Sequence, residues 1–230
     1  MATILQIRDA VALSVRRAPV IGVVRTPSRE EAAAQARALA AAGVEMVEIT
    51  FTVPGASGLL RELLAERAAS GADRAGNPPW FGMGTVTTAA RAREAAEAGA
   101  EFLVTPNASA DVAREARRAG LFLVMGALTP TEIVHAAELG ADLVKVYPLP
   151  PVGGPAYLSV IRGPLGDIPM LAAGGFGIEE IPAYARAGAV AFGLAAPLLG
   201  AGAGRDAAAT RRDVERALAL ARGASPEEKR

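Results

Sequence analysis

Short apolar runs alternate with alanine-rich segments along almost the whole chain. Each run is bounded by Gly, Pro or Thr and is rich in Val, Ile, Leu or Phe, a composition typical of buried parallel strands. The eight predicted strands are Val20–Arg25, Val44–Phe51, Trp80–Met83, Glu101–Thr105, Leu121–Met125, Ala141–Tyr147, Pro169–Ala172 and Ala189–Gly193. The segments between them predict helices over Ser28–Ala42, Ser57–Ala69, Thr87–Ala98, Ser109–Ala119, Thr129–Leu139, Tyr157–Gly163 and Ile178–Ala187.

The ends of the predicted helices repeat the same signals. An Ala-Gly or Leu-Gly pair closes five of them, and glycine there can adopt the left-handed C-cap conformation at little steric cost. These C-cap glycines are Gly43, Gly99, Gly120, Gly140 and Gly188. Hydroxyl residues suited to N-capping open four helices. The predicted N-caps are Thr26 or Ser28, Thr87, Ser109 and Thr129.

Eight strand–helix units in 230 residues predict an α/β fold, a (β/α)₈ TIM barrel. We expect one barrel domain over residues 1–223 and a polar C-terminal tail over 224–230. An extra helix at about residues 3–17 would cap the barrel bottom, and Asp206–Gly223 would be a closing helix. An open doubly wound sheet is the alternative, but no Gly-x-Gly-x-x-Gly follows the first strand. In a barrel, the functional residues lie at the C-terminal ends of the strands.

The composition narrows the chemistry that such a barrel can perform. The chain has 24 basic and 24 acidic residues, so its formal net charge is zero. This balance gives no electrostatic reason to expect nucleic-acid or membrane binding. No cysteine and a single histidine exclude thiolate metal sites and iron–sulfur clusters. Because no signal-like or membrane-spanning segment is visible, we expect a cytoplasmic protein.

Lysine is the most informative residue type. Two of the 24 basic residues are lysines, Lys145 and Lys229, and the other 22 are arginines. Lys145 lies inside an apolar predicted strand, where the period of two places it on one face with Leu143 and Tyr147, toward the lumen. Desolvation there favours the neutral amine, which can attack a carbonyl to form a Schiff base. The alternative is a snorkelling lysine or a structural ion pair.

The second predicted strand carries a carboxylate in the same manner. Val47 and Ile49 form an outward apolar face, so Glu48 points inward. A glutamate among apolar neighbours has a raised pKa and can move protons on and off a carbon next to an imine. Alternatively, Glu48 is only a charge partner for Arg25 or Lys145.

Three further side chains end strands at the same rim. Arg25 closes the first strand and could bind a substrate carboxylate in two-pronged fashion, or merely neutralise Glu48. Thr85 and Thr105 offer hydroxyls after the third and fourth strands, although helix capping explains threonine equally well.

Two glycine-rich turns complete the candidate site. Gly174 and Gly175 follow the seventh predicted strand, and Gly193 belongs to a turn placed after the eighth. Backbone amides in such turns can hold a phosphate where barrels commonly bind one.

Five motifs in this order resemble 2-keto-3-deoxy-6-phosphogluconate aldolase and its relatives, including the 2-keto-3-deoxy-6-phosphogalactonate and 4-hydroxy-2-oxoglutarate aldolases. They are Val47-Glu-Ile49, Gly82-Met-Gly-Thr-Val86, Val104-Thr-Pro-Asn107, Val144-Lys-Val-Tyr-Pro148 and Ala173-Gly-Gly175. These class I aldolases are typically homotrimeric barrels. The resemblance spans about Val20 to Leu199.

The resemblance implies a role for each part of the candidate site. Lys145 would form the imine with pyruvate, Glu48 would be the general acid/base, and Thr85 would hydrogen-bond near the reacting carbon. The turns at Gly174, Gly175 and Gly193 would receive the phosphate. Arg25 and the Pro106-Asn107 turn resemble the phosphogalactonate branch.

The chain departs from the family pattern in three places. Thr52 stands where the gluconate branch often has an arginine, Met125-Gly126 stands for a Pro-Gly after the fifth strand, and Ala196 stands for the usual serine of the last phosphate loop.

The sequence therefore predicts a cofactor-independent class I aldolase that cleaves a 2-keto-3-deoxy-6-phospho sugar acid to pyruvate and glyceraldehyde 3-phosphate. The alternatives are the same imine chemistry on a non-phosphorylated 2-keto acid such as 4-hydroxy-2-oxoglutarate, a non-catalytic sugar-acid-binding barrel, or a phosphosugar isomerase.

Overall fold

Eight parallel strands close into a barrel in the order in which they occur along the chain. The computed structural model describes residues 4–71, 79–202, 204 and 206–223. The strands are β1 Val20–Val24, β2 Met46–Thr50, β3 Trp80–Gly84, β4 Phe102–Val104, β5 Phe122–Ala127, β6 Leu143–Val146, β7 Met170–Ala173 and β8 Ala191–Ala195. This topology confirms the predicted (β/α)₈ barrel.

The helices other than α1 surround this barrel and pack their alanine-rich faces on the outer face of the strands. They are α1 Ile4–Arg17, α2 Arg29–Ala41, α3 Ala56–Ala69, α4 Ala89–Glu97, α5 Ala110–Ala119, α6 Pro130–Glu138, α7 Gly154–Arg162, α8 Ile181–Arg186 and α9 Ala207–Gly223. Short 3₁₀ turns precede α7 and α8 and follow β8, at Pro150–Val152, Ile178–Glu180 and Ala196–Leu199. The proposed tail at 224–230 lies outside the described residues.

The predicted helix boundaries need three corrections, the first of which is that α7 begins at Gly154 and not at Tyr157. All five C-cap glycines have the expected positive φ, between 64° and 100°. At the N-terminus of α4, the capping hydroxyl belongs to Thr88 and not to Thr87, and it accepts from the backbone N–H of Arg91. The predicted helix Ile178–Ala187 is a 3₁₀ turn followed by α8, whose second residue is Pro182.

Helix α1 closes the N-terminal end of the barrel, as predicted. Its apolar residues Val11 and Val15 belong to the same buried cluster as the lumen residues of the strands, among them Trp80 and Phe102. The Trp80 indole donates a hydrogen bond of 2.8 Å to the hydroxyl of Ser14. This end is therefore filled and covered, which leaves the C-terminal ends of the strands as the open mouth.

Candidate active site

Lys145 projects from β6 into the lumen. Its strand neighbour Leu143 belongs to the lumen cluster, whereas Val144 and Val146 pack with the helices outside, which confirms the predicted orientation. The ammonium nitrogen lies 5.1 Å from the centre of the Tyr147 ring, and the lysine side chain is partly buried. Lys145 therefore lies at the barrel mouth, where a ligand can reach it.

Glu48 projects into the lumen from β2, on the opposite side of the eight-stranded barrel from β6. The residue is 2% exposed, and burial raises the pKa of its carboxyl, although attraction to Lys145 and Arg25 opposes this shift. Oε1 is buried and has no hydrogen-bond partner among the described residues. A carboxyl with a raised pKa and an open acceptor is suited to proton transfer.

Gly84, the last residue of β3, makes room for this carboxylate. Glu48 is in register with Gly82, and its side chain extends along the strand to Gly84. A Cβ at Gly84 would overlap Oε1 of Glu48. The sequence motif did not reveal this need for glycine at position 84, because it arises only from the packing of two strands.

Arg25 and Thr85 meet at the rim. Nη2 of Arg25 donates to Oγ1 of Thr85 over 3.3 Å, and the arginine side chain is exposed. Thr85 itself has a φ of 58°, a left-handed conformation that threonine rarely adopts. The pair presents a guanidinium and a hydroxyl on the side of the mouth where β1 to β3 end.

Thr105 and Pro106 form a tight turn after β4. The Thr105 hydroxyl donates to the carbonyl of Asn107 at 2.6 Å and accepts from the N–H of Gly126 at 3.1 Å. The hydroxyl is buried and engaged in the turn itself. The structure therefore gives Thr105 a role in shaping the turn that presents Pro106.

Gly126 fits against that turn. The family resemblance placed Met125-Gly126 after the fifth strand. Both residues lie inside β5, where Gly126 pairs with Lys145. A Cβ at Gly126 would overlap the carbonyl of Pro106. A glycine within an apolar strand was the available signal for this close approach.

The glycine turns lie on the side of the mouth formed by β7 and β8. Gly174 has a φ of 133° and faces the backbone of Pro148 and Leu149, where a Cβ would lie 2.8–2.9 Å away. Gly175 has a φ of 99° and open space beside it. The N–H of Gly177 already donates to the Glu180 carboxylate at 2.7 Å.

The position of Gly193 corrects the prediction. It lies inside β8, which runs on to Ala195, and not in a turn after the strand. It pairs with Ala173 and Ile21, and a Cβ there would meet Ala173 and Leu171 at 3.3 Å. The turn that follows begins with Ala196, whose side chain is buried.

Within the described ranges, no helix is long and apolar enough to cross a membrane. No group of three or more His, Cys, Asp or Glu in these ranges could hold a metal ion.

The fold and the mouth together define a parallel-barrel enzyme site built around one lumen lysine and one lumen carboxylate. The profile of the family "Aldolase: KDPG and KHG aldolase" matches residues 11–209. The chain belongs to this family of aldolases, which are carbon–carbon lyases. The match confirms the resemblance and the predicted class of enzyme.

Two curated relatives and one solved structure show the extent of the similarity. The chain is 32% identical over 191 residues to the probable 2-dehydro-3-deoxy-6-phosphogalactonate aldolase of Rhizobium meliloti, covering 83% of this chain and 86% of the relative. It is 30% identical over 171 residues to the 2-dehydro-3-deoxy-phosphogluconate aldolase of Treponema pallidum, covering 74% and 77%. The crystal structure of the Zymomonas mobilis 2-keto-3-deoxy-6-phosphogluconate aldolase with 3-phosphoglycerate superposes with a TM-score of 0.79, at 25% identity over 95% of this chain and 99% of that one.

Proposed function

We propose that the protein is a class I aldolase that cleaves a 2-keto-3-deoxy-6-phospho sugar acid, of the phosphogluconate or phosphogalactonate type, to pyruvate and glyceraldehyde 3-phosphate. The observation that carries the proposal is the buried Glu48 carboxyl, with its raised pKa, across the lumen from Lys145. Family membership and the names of the relatives support the reaction class and the substrate class.

The first half of the reaction forms the imine and breaks the carbon–carbon bond. The Lys145 amine attacks the C2 carbonyl of the substrate, and loss of water leaves a protonated imine. Glu48 takes the proton of the C4 hydroxyl, either directly or through one water. The electrons of the C3–C4 bond move to the iminium, so that the aldehyde leaves and an enamine remains on Lys145.

The second half returns the enzyme to its starting state. Glu48 gives its proton to C3 of the enamine, which restores the iminium. Water then adds to C2, the carbon–nitrogen bond breaks, and pyruvate and the free amine are released. These steps need no metal and no organic cofactor.

The rim residues bind the two ends of the substrate in this proposal. Arg25 and Thr85 hold the carboxylate beside the imine carbon, since a guanidinium and a hydroxyl meet there. Thr105 fixes the turn that places Pro106 against the substrate. The backbone amides of the turn at Gly174 and Gly175 receive the phosphate.

A second candidate substrate is a non-phosphorylated acid such as 4-hydroxy-2-oxoglutarate. It is favoured by the turn after β8, where Ala196 has no hydroxyl and Pro197 has no backbone N–H. A comparison of kcat/KM for both phospho sugar acids and for 4-hydroxy-2-oxoglutarate decides between them. Faster turnover of the phosphorylated acids supports the phosphate proposal, and preference for the shorter acid would overturn it.

The imine itself is tested by reduction. The protein is mixed with pyruvate and borohydride, and the added mass is mapped by peptide mass spectrometry. A reduced pyruvate adduct on Lys145 is the expected result. A folded sample without an adduct would overturn the aldolase proposal and favour a sugar-acid-binding barrel or an isomerase.

We also propose that residues 1–223 act as one barrel domain in a cytoplasmic homotrimer. Light scattering on the purified chain would measure the assembly, and a monomeric mass would contradict the trimer.

A further inference from the structure

Thr85, just after β3, has a backbone conformation that needs support. In the part of the chain that the structure describes, it is the one non-glycine residue with a positive φ. A left-handed conformation crowds the Cβ of a β-branched residue, so it persists only where neighbouring groups hold it. Because Thr85 lies at the candidate site, the groups that hold it also act on the site.

Arg91, in the first turn of α4, supplies this support. Its Nη1 donates to the carbonyl oxygen of Thr85 at 3.3 Å and to the hydroxyl of Thr87 at 3.1 Å. The guanidinium carbon lies 5.3 Å from the centre of the Phe51 ring. The group thus joins the turn after β3 to the turn after β2, the strand that carries Glu48.

The side chain of Thr85 extends this support to Arg25. Its Oγ1 accepts from Nη2 of Arg25, whose side chain is otherwise exposed to solvent. A change of Thr85 to a negative φ would redirect its carbonyl and its hydroxyl together. Arg25 would then lose the hydrogen bond that fixes it at the mouth.

We propose that Arg91 is a positioning residue for binding of the substrate carboxylate. It holds Thr85 in the left-handed conformation and thereby places Arg25, without contact to the substrate or to Lys145. This inference rests on the proposed function, in which Arg25 and Thr85 bind the carboxylate beside the imine carbon. Loss of Arg91 therefore weakens binding of the keto acid and leaves the chemical step intact.

The test replaces Arg91 with methionine, which keeps an apolar stem against Phe51 and removes the donors. Arg93→Met is the matched control, because Arg93 lies in the same helix and pairs with Glu115 on the exposed face. For Arg91→Met, KM should rise about tenfold while kcat changes less than about twofold. The pyruvate concentration that gives half-maximal borohydride trapping should rise by the same factor. Arg93→Met should change none of these values.

Arg91→Lys is a second variant that keeps the test decisive if Arg91→Met does not fold. It keeps the charge and one donor group within reach of the turn, so a KM between those of wild type and Arg91→Met is expected. A wild-type KM for Arg91→Met, or a loss confined to kcat, would overturn the proposal.

A double variant separates positioning from direct contact. Glycine adopts a positive φ without support, but Thr85→Gly has no hydroxyl for Arg25. If Arg91 acts through Thr85, adding Arg91→Met to Thr85→Gly leaves KM unchanged. If the two substitutions instead raise KM by the product of their separate effects, Arg91 acts independently of Thr85. If wild type forms no pyruvate adduct, the proposed function fails first. If wild type and Arg91→Met reach half-maximal trapping at equal pyruvate concentrations, only the role of Arg91 is overturned.

Discussion

The two ends of the barrel each bury a glutamate, and the two carboxylates have opposite surroundings. Glu101, just before β4 at the closed end, is 1% exposed, and Glu48 at the mouth is 2% exposed. Both oxygens of Glu101 accept from Arg67 at 2.8 Å, and one also accepts from the N–H of Phe81 at 2.9 Å. Oε1 of Glu48 has no such partner in the described residues.

The difference separates a carboxylate paired within the fold from the one that we propose transfers protons in the reaction. Arg67 is itself buried and also donates to the carbonyl of Pro79 at 2.6 Å, so the charges of this pair are matched inside the protein. Such a satisfied network makes the local structure rigid and leaves neither oxygen of Glu101 without a partner. The mouth keeps a desolvated carboxylate with an open acceptor, an arrangement that costs stability and is suited to proton transfer.

The largest expected effect is at Lys145, because its loss removes the covalent step. Lys145→Met should lower kcat/KM for cleavage by at least about 10⁴-fold and abolish the pyruvate adduct. Lys229→Met is the matched control, since Lys229 is the other lysine of the chain and lies outside the described residues. Full activity in Lys145→Met would show that the reaction does not proceed through an imine at this lysine.

The next effect concerns Glu48. Glu48→Gln should slow cleavage by about 10²- to 10⁴-fold, the usual contribution of a positioned acid/base group. Its free energy of unfolding should be equal to that of wild type or higher, because a neutral amide replaces a desolvated carboxyl. Steady-state kinetics and urea unfolding measure the two quantities. A destabilised but fully active Glu48→Gln would show that the carboxylate is structural.

The same change from glutamate to glutamine at the closed end, Glu101→Gln, should lower stability and leave activity intact. Glu101→Gln leaves the buried Arg67 guanidinium without its counter-charge and should lower the free energy of unfolding by about 3 to 5 kcal/mol. Activity should persist at temperatures where the variant is folded. Urea unfolding and an activity assay on one sample would measure stability and activity. Lost activity in a folded Glu101→Gln would show that Glu101 also takes part in the reaction.

The sequence was sufficient to predict the strands and the lumen direction of Glu48 and Lys145. The period of two in a strand, together with the outward valines, determines which face each side chain takes. The predicted helix capping of α4 was wrong by one residue because Thr87 and Thr88 carry the same hydroxyl.

Contacts between elements that are distant in sequence could not be predicted. The overlap of a Cβ at Gly84 with Glu48 depends on the packing of β2 against β3. The pairing of Arg67 with Glu101 and the hydrogen bond from Arg91 to Thr85 depend on side-chain conformation, which periodicity does not determine. Gly193 was assigned to a turn because glycine favours turns, whereas here it allows close packing inside β8.

The smallest expected effect is a dependence of stability on pH that belongs to Glu48 alone. Burial raises the pKa of this carboxyl in the folded state above the ordinary value of 4.5. As pH rises past that ordinary value, the unfolded state releases its proton before the folded state does. The folded state then binds more protons, so the stabilising contribution is complete at low pH and is lost as pH rises through the folded-state pKa.

Urea unfolding from about pH 5 to about pH 8 would isolate this effect as the difference between wild type and Glu48→Gln. The free energy of unfolding of wild type should fall relative to the variant as pH rises, with a slope of at most about 1.4 kcal/mol per pH unit for one proton. Subtracting the variant removes the titrating groups that do not interact with Glu48, since those groups behave alike in both proteins. Parallel curves would mean that Glu48 has the same proton affinity folded and unfolded. Glu48 would then not differ from Glu101 in its surroundings. A carboxyl that ionises normally in the lumen must be paired with a charge or hydrated there.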